Sequence, residues 1–139
     1  IKVRPIFLSH PKNGGMGFRF EEDGKSFVFL TDNELTYIHN GGHTFDQYVS
    51  FCKNADILIH DAEYTETDYN RTWGHSIYTD AVKLAIQAEV KQLGLFHLNK
   101  DRTDDKVDEM VRNSRKIIRK HKSSLECFAV GYTFERTLE

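Results

Sequence analysis

Apolar residues along the chain fall into short runs separated by polar clusters, and the runs show two different periods. Val3 to Ser9, Phe18 to Glu22 and Ser26 to Thr31 are β-prone stretches of strand length, and Pro5 places the first of them near a sheet edge. Asp23-Gly24 between the second and third stretches predicts a hairpin turn. Asp56 to Asp61 and Gln92 to His97 are continuous Leu- and Ile-rich runs bounded by polar residues, the pattern of strands covered on both faces. Between these strands the period changes. Phe45, Tyr48, Val49 and Cys52 recur at three- and four-residue spacing, which predicts a short helix within Thr44 to Asn54. Ser76 reads as the N-cap of a second helix with the stripe Ile77, Ala81, Leu84, Ala85 and Ala88. A third helix starts near Thr103 with the stripe Val107, Met110, Val111, Ile117 and Ile118. Its early Asp104, Asp105, Asp108 and Glu109 and late Arg115, Lys116, Arg119, Lys120 and Lys122 complement the helix dipole. Leu125 to Val130 and Thr133 to Leu138 read as closing strands on either side of Gly131. The order, hairpin strands first and βαβ units after, predicts a mixed α/β fold.

Composition narrows the function classes. At 139 residues the chain is long enough for one domain with a core of its own. A formal charge of −2 gives no general electrostatic reason to bind nucleic acid or a membrane surface. No apolar run approaches the roughly 20 residues of a spanning helix, and no signal peptide is visible. Cys52 and Cys127 lie far apart without metal-type spacing, as expected of reduced thiols in a cytoplasmic protein. The chain opens on Ile1-Lys2-Val3 and enters a strand-like run at once. We therefore expect a piece of a longer protein, with an N-terminal partner segment preceding it.

Four apolar strands are each followed or closed by residues able to do chemistry: His10, Asp32, His60-Asp61 and His97. Ligands in open α/β sheets collect beyond the carboxyl ends of strands. Imidazole and carboxylate together suit zinc, iron or manganese, and a bridging carboxylate allows two cations to share a hydroxide. Any one of these residues alone could simply cap a strand, whereas the set, gathered on one sheet edge, points to a metal site. His75 has another character. Just before a helix it should be held neutral by the dipole, beside amides that attract an anion, and so be placed to donate to a phosphate oxygen. His60 and Asp61 point to opposite sheet faces. Asp61 is assigned to orienting a histidine and His60 to the core. His39 and His43 flank Asn40-Gly41-Gly42 on a loop read as solvated, and His121 is read as surface. The Arg112 to Lys122 cluster is ascribed to dipole complementation. Tyr64, Tyr69 and Trp73 either line a pocket or cover the sheet.

The segments LSHPKNGGMGFRF, FVFLTDNEL, ADILIHDAEYT, WGHS and LGLFHLNKDRTDD, in this order, resemble the metallo-β-lactamase superfamily, in particular its phosphodiesterase-like hydrolases. The resemblance implies an αββα sandwich of two similar halves with a two-metal site at its edge, this chain being the C-terminal half. It implies that His10, Asp32 and His97 are metal ligands, Asp32 bridging both cations, and that His75 assists proton transfer as in tRNA end-processing endonucleases. Two divalent ions are implied, zinc first, iron or manganese otherwise. The HxHxDH motif of the family's N-terminal half is absent from the chain. Where relatives read FHHDP, this sequence has Phe96-His97-Leu98-Asn99-Lys100, so the second histidine and its aspartate are lost.

The function expected is a metal-dependent hydrolase of small phosphodiesters, inactive without its N-terminal half. The partner would be that half or a second chain, as in a homodimer. A non-catalytic half used for binding or assembly, and a tRNA end-processing endonuclease, are the alternatives. Lactam and thioester hydrolysis share the fold, which by itself does not fix the chemistry.

Overall fold

Residues 1–138 of the chain are described by a computed structural model. β1 (Lys2–Leu8), β2 (Gly15–Glu22) and β3 (Lys25–Leu30) form an antiparallel meander. Asp23 and Gly24 both take positive φ, 48° and 77°, and close the β2–β3 hairpin. β4 (Ile57–Asp61), β5 (Gln92–Phe96) and β6 (Glu126–Ala129) continue parallel to β3, so the six strands stand in sequence order. The three crossovers carry α1 (Phe45–Cys52), α2 (Tyr78–Gln87) and α3 (Asp104–Lys120). Successive crossovers of one hand, stepping the same way across a sheet, deliver their helices to one face.

Strand parity divides the sheet accordingly. Val28, Leu30, Leu58, Leu93, Leu95 and Cys127 share the core with Tyr48 and Cys52 of α1, Ala81, Leu84 and Ala85 of α2, and Met110 and Ile118 of α3. The opposite parity carries Phe18 and Phe20 of β2, Phe27 and Phe29 of β3 and Phe96 of β5, whose successive ring centroids lie 5.6–6.3 Å apart. Among the described residues no helix covers this aromatic face. It continues onto β1 and the start of β2 through Val3, Phe7 and Met16, all of them exposed. Cys52 and Cys127 are free and buried, and burial pushes their thiols up to about 12 and about 11. No helix among the described residues is long and apolar enough to cross a membrane.

The structure corrects the sequence reading at several places. β2 begins at Gly15, ahead of the expected Phe18, because glycines 15 and 17 let β1 and β3 close in; a Cβ on Gly17 would stand 2.4 Å from Leu30 Cδ2. Thr44, for which no cap role was expected, caps α1 in a reciprocal pair with Gln47. Ser76 does not cap α2. The N-cap is Ile77, and the Ser76 hydroxyl instead donates to the Asn33 carbonyl and accepts from the Leu35 amide. On α2 the buried face is wider than the expected stripe and takes in Tyr78, Asp80 and Val82. Thr133 to Leu138 is not a strand. After a turn at Gly131 the segment crosses the aromatic face, Phe134 stacking on Phe128 at 4.8 Å and Arg136 bonding Gln92 and Glu126. Its side chains reach over β5 and β6, so its backbone does not pair along the β6 edge.

Gly94 sits where β5 must admit its neighbours: a Cβ there would meet Ile59 Cδ1 at 2.4 Å and Phe128 Cε2 at 2.9 Å. Gly94→Ala is expected to lower stability by about 1–3 kcal/mol, the usual effect of overpacking. Urea unfolding followed by circular dichroism checks this, and an unchanged midpoint would show that β4 and β6 give way freely.

Candidate metal centre

The carboxyl ends of β1, β3, β4 and β5 meet on one edge of the sheet, and four side chains converge there. Donor atoms of Asp32, Asp61, His75 and His97 all lie within 4.8 Å of one another. Two carboxylates and two imidazoles are the donor set of a divalent first-row cation, so the residues present fit such an ion. Asp32 and His97 each stand one or two residues past a strand in left-handed backbone, φ 53° and 52°, a conformation non-glycine residues seldom adopt. Both turns deflect the side chains inward off the sheet edge. Asp32 Oδ1 comes to 3.1 Å from His97 Nε2 and 3.7 Å from His75 Nδ1.

His75 and Asp61 form the tightest contact of the group, Nδ1 to Oδ2 at 2.6 Å. Asp61 is fully buried and also accepts from the amides of Asn33, Glu63 and Ser76. The pleat separates it from His60 as parity requires. His60 lies in the core against Asn33 Nδ2, and burial lowers its pKa. For His75, burial disfavours the charged ring, but the hydrogen bond and charge of Asp61, joined by Glu63 and Asp32, outweigh burial and raise its pKa. The shift runs opposite to the one expected from a helix dipole. α2 begins only at Tyr78, so His75 stands outside its first turn, among carboxylates. His75 and His97 stack at 4.4 Å with 13° between their planes. His10 stands beside this group and outside the 4.8 Å set, its ring edge-on to His75 at 5.5 Å. Its Nδ1 faces the Pro11 carbonyl at 3.2 Å, and residue 74 must be glycine there, because a Cβ would fall 2.4 Å from the His10 ring.

Beneath the cluster lie residues that strand-end reasoning passed over. Asn33 is fully buried and joins three segments: its Oδ1 accepts from the Ser9 amide after β1, its amide donates to Asp61 on β4, and its carbonyl accepts from Ser76. Glu34 is equally buried. Its carboxylate accepts from Tyr69 Oη, the amides of Thr72 and Gly74, and His39 Nε2 at 2.7 Å. These bonds overcome the cost of burial and hold the Glu34 pKa low, while burial and Glu34 push Tyr69 up to about 12. His39 is therefore not solvated as expected; it is pinned beneath the loop that carries His75. Tyr64 is buried, Tyr69 is tied to Glu34, and Trp73 is 63% exposed. The signal for Asn33 and Glu34 was present in the four-residue polar run after FVFL, since polar groups at the end of a covered strand need partners. Glu63 had no such signal. It stands with Oε2 3.4 Å from both His75 Nε2 and His97 Nδ1.

Ribonuclease Z from Saccharolobus solfataricus is 42% identical to this chain over 72 residues, 52% of this chain and 24% of the relative. YhfI from Bacillus subtilis, a metallo-β-lactamase fold protein, superposes with a TM-score of 0.70 over 95% of this chain and 47% of its own, at 19% identity. Human tRNase Z, short form, matches with a TM-score of 0.57 at 27% identity, over 70% of this chain and 36% of its own. The chain has the fold of these metallo-β-lactamase fold proteins. It is also similar to a diphosphatase of the PhnP family, with a TM-score of 0.58 and 21% identity over 99% of this chain and 45% of that one. Ribonuclease Z from Sulfolobus acidocaldarius is 36% identical over 91 residues, 60% of this chain and 30% of the relative. The chain thus spans about a quarter to a third of the length of the curated relatives it matches. No protein-family model matches it.

The raised pKa of His75 has a signed consequence for stability. A pKa above the unfolded value of 6.5 contributes stability fully present below that pH and lost as pH rises through the folded value. Asp61→Asn removes the leading partner, so its melting temperature should fall furthest below wild type under acidic conditions and approach it in alkali. Thermal melts of both metal-free proteins across pH test this, and a deficit that is constant or grows with pH would contradict it.

Proposed function

We propose that this chain is the C-terminal half of a metal-dependent phosphodiester hydrolase. Asp32 and His97, with His10, would be this half's metal ligands, and His75, oriented by Asp61, its proton-transfer residue. The observation that carries the reading is the meeting of Asp32, Asp61, His75 and His97 on one strand edge. His75 Nδ1–H donates to Asp61 Oδ2 at 2.6 Å, so the two atoms are engaged with each other and serve orientation better than metal binding. His75 Nε2 is then the nitrogen that gives or accepts a proton at a phosphate or leaving-group oxygen. Asp32 offers a carboxylate able to bridge two cations. Such a pair of divalent ions, zinc by preference and iron or manganese otherwise, would supply Lewis-acid polarisation and a hydroxide nucleophile.

The aromatic sheet face supports the half-molecule reading. A contiguous apolar face of this kind is rarely left open on a monomer, and sheets pack face to face about 10 Å apart. Cover by an N-terminal half completes a sandwich, and a second copy of the chain is the other candidate. The HxHxDH residues of the missing half would complete the metal site. A tRNA end-processing endonuclease is the second reading, favoured by the identity with the ribonuclease Z relatives. The formal charge of −2 favours a small diester over a polyanion. Two buried free thiols suit a reducing compartment, so we place the protein in the cytoplasm.

Metal analysis of the purified chain should find zinc that Asp32→Ala and His97→Ala both lose. Turnover of a chromogenic phosphodiester should appear only when the upstream half is co-expressed, and in that assembly His75→Ala should lower kcat by about 10²–10⁴-fold. Undiminished turnover by the 139-residue chain alone would overturn the half-molecule reading, and zinc retained in both ligand variants would overturn the site.

A further inference from the structure

The aromatic face of the sheet is not uniformly open. Side chains alternate between the two faces, so Val3 and Phe7 of β1 share this one with Met16, Phe18 and Phe20 of β2. Phe7 and Met16 stand 56% and 41% exposed. Ile57 and Ile59 lie on the same face, opposite Phe27 and Phe29 in the β3–β4 register, yet they are only 4% and 5% exposed. What lies over them is the segment after Gly131. Phe134 and Leu138 of that segment share one cavity with Phe29, Ile57, Ile59 and Phe96. The segment is anchored on β5 and β6. Phe134 stacks on Phe128 at 4.8 Å, and the Arg136 guanidinium stands 5.6 Å from the centre of the same ring. Arg136 also bonds Gln92 and Glu126, one on each strand.

We propose that residues 133–138 are a built-in strap over β4 to β6, and that a covering sheet docks beside it, on β1 and the start of β2 around Phe7 and Met16. Stacked sheets stand about 10 Å apart, and inward side chains of both fill the gap. Phe134 and Leu138 already occupy that layer above Ile57 and Ile59, so a partner's side chains find room only beyond them. The ground left open is apolar at Val3, Pro5, Phe7, Met16, Phe18 and Phe20. Charge enters only at the hairpin end, where Glu22 stands opposite Lys25. A pleated face of this composition fits the apolar face of another sheet, because it offers a polyanion no cation and a polar helix no partner. The occupant assigned is the upstream half-domain. The solved folds of YhfI and the PhnP-family diphosphatase match this chain over only 47% and 45% of their own length, so each carries about as much chain again. The identity of the occupant rests on the half-molecule reading above; the cover given by the strap is a property of this chain alone.

Hydroxyl-radical footprinting read by mass spectrometry reports the exposure of each side chain. In the chain carrying both Phe134→Ser and Arg136→Ser, oxidation of Ile57, Ile59 and Phe96 should rise several-fold over wild type, while Phe7 and Met16 stay as they were. Co-expression of the segment encoded upstream should protect Phe7 and Met16 in wild type. Phe7→Lys combined with Met16→Lys should lose capture of that segment, and the strap variant should capture it as wild type does. An unchanged footprint in the strap variant overturns the cover. Tighter capture by the strap variant makes the strap a competitor for the same ground and overturns the division of the face. Protection of Phe7 and Met16 in the chain alone, with a doubled mass in sedimentation, seats a second copy there and overturns the choice of occupant. If the upstream segment binds without protecting Phe7 and Met16, the docking ground is wrong and the half-molecule reading survives. If no upstream segment binds, that reading fails and the docking claim with it, while the footprint of the unbound chain still decides the strap. Should the lysine variant not fold, the wild-type footprints with and without the upstream segment decide the docking ground.

Discussion

The buried carboxylate of Asp61 is the constraint on which the rest of this edge depends. A desolvated carboxylate is tolerated only when nearly every lone pair finds a donor. Asp61 meets that demand with the amides of Asn33, Glu63 and Ser76 and the ring of His75. Those donors come from three different stretches of chain. Satisfying one charge therefore forces the turn after β3, the segment after β4 and the approach to α2 into a single arrangement. Bonds of this charge-assisted type contribute roughly 1.5–3 kcal/mol each, more than the neutral bonds around them.

A second buried carboxylate does the same for the outer loop. Glu34 holds the amides of Thr72 and Gly74 through separate oxygens, and Thr72 and Gly74 both adopt positive φ, 73° and 93°. A β-branched residue in that region is strained, and strain of this kind persists where surrounding bonds over-determine it. The loop delivering His75 is thus shaped by an acid in the turn after β3, some forty positions earlier in the chain, and glycine at 74 leaves room for the His10 ring.

Much of this was legible in the residues themselves. The two periods gave the helices and strands in order, and strand-end logic singled out His10, Asp32, Asp61 and His97 as chemistry-bearing, with pleat parity separating Asp61 from His60. What escaped the sequence has common physical causes. Ser76 is a good cap by residue type, but a tertiary bond to Asn33 claimed its hydroxyl and moved the cap to Ile77. The charge state of His75 depends on carboxylates brought in by other strands, which overrode the dipole argument made from its local position. Glu63 became visible only when β4 and β5 were side by side. The last segment has strand-like residues, yet the aromatic face offered its side chains a better partner than a sheet edge offered its backbone.

Trp73 is the chain's sole tryptophan, and it stands 63% exposed between the two amides that Glu34 grips. Its indole therefore rides on the same loop as His75, with no second indole to confuse its signal. The molecule carries its own fluorescent gauge at the mouth of the cluster, able to register ion uptake, docking of a covering sheet or loosening of the loop without any attached label.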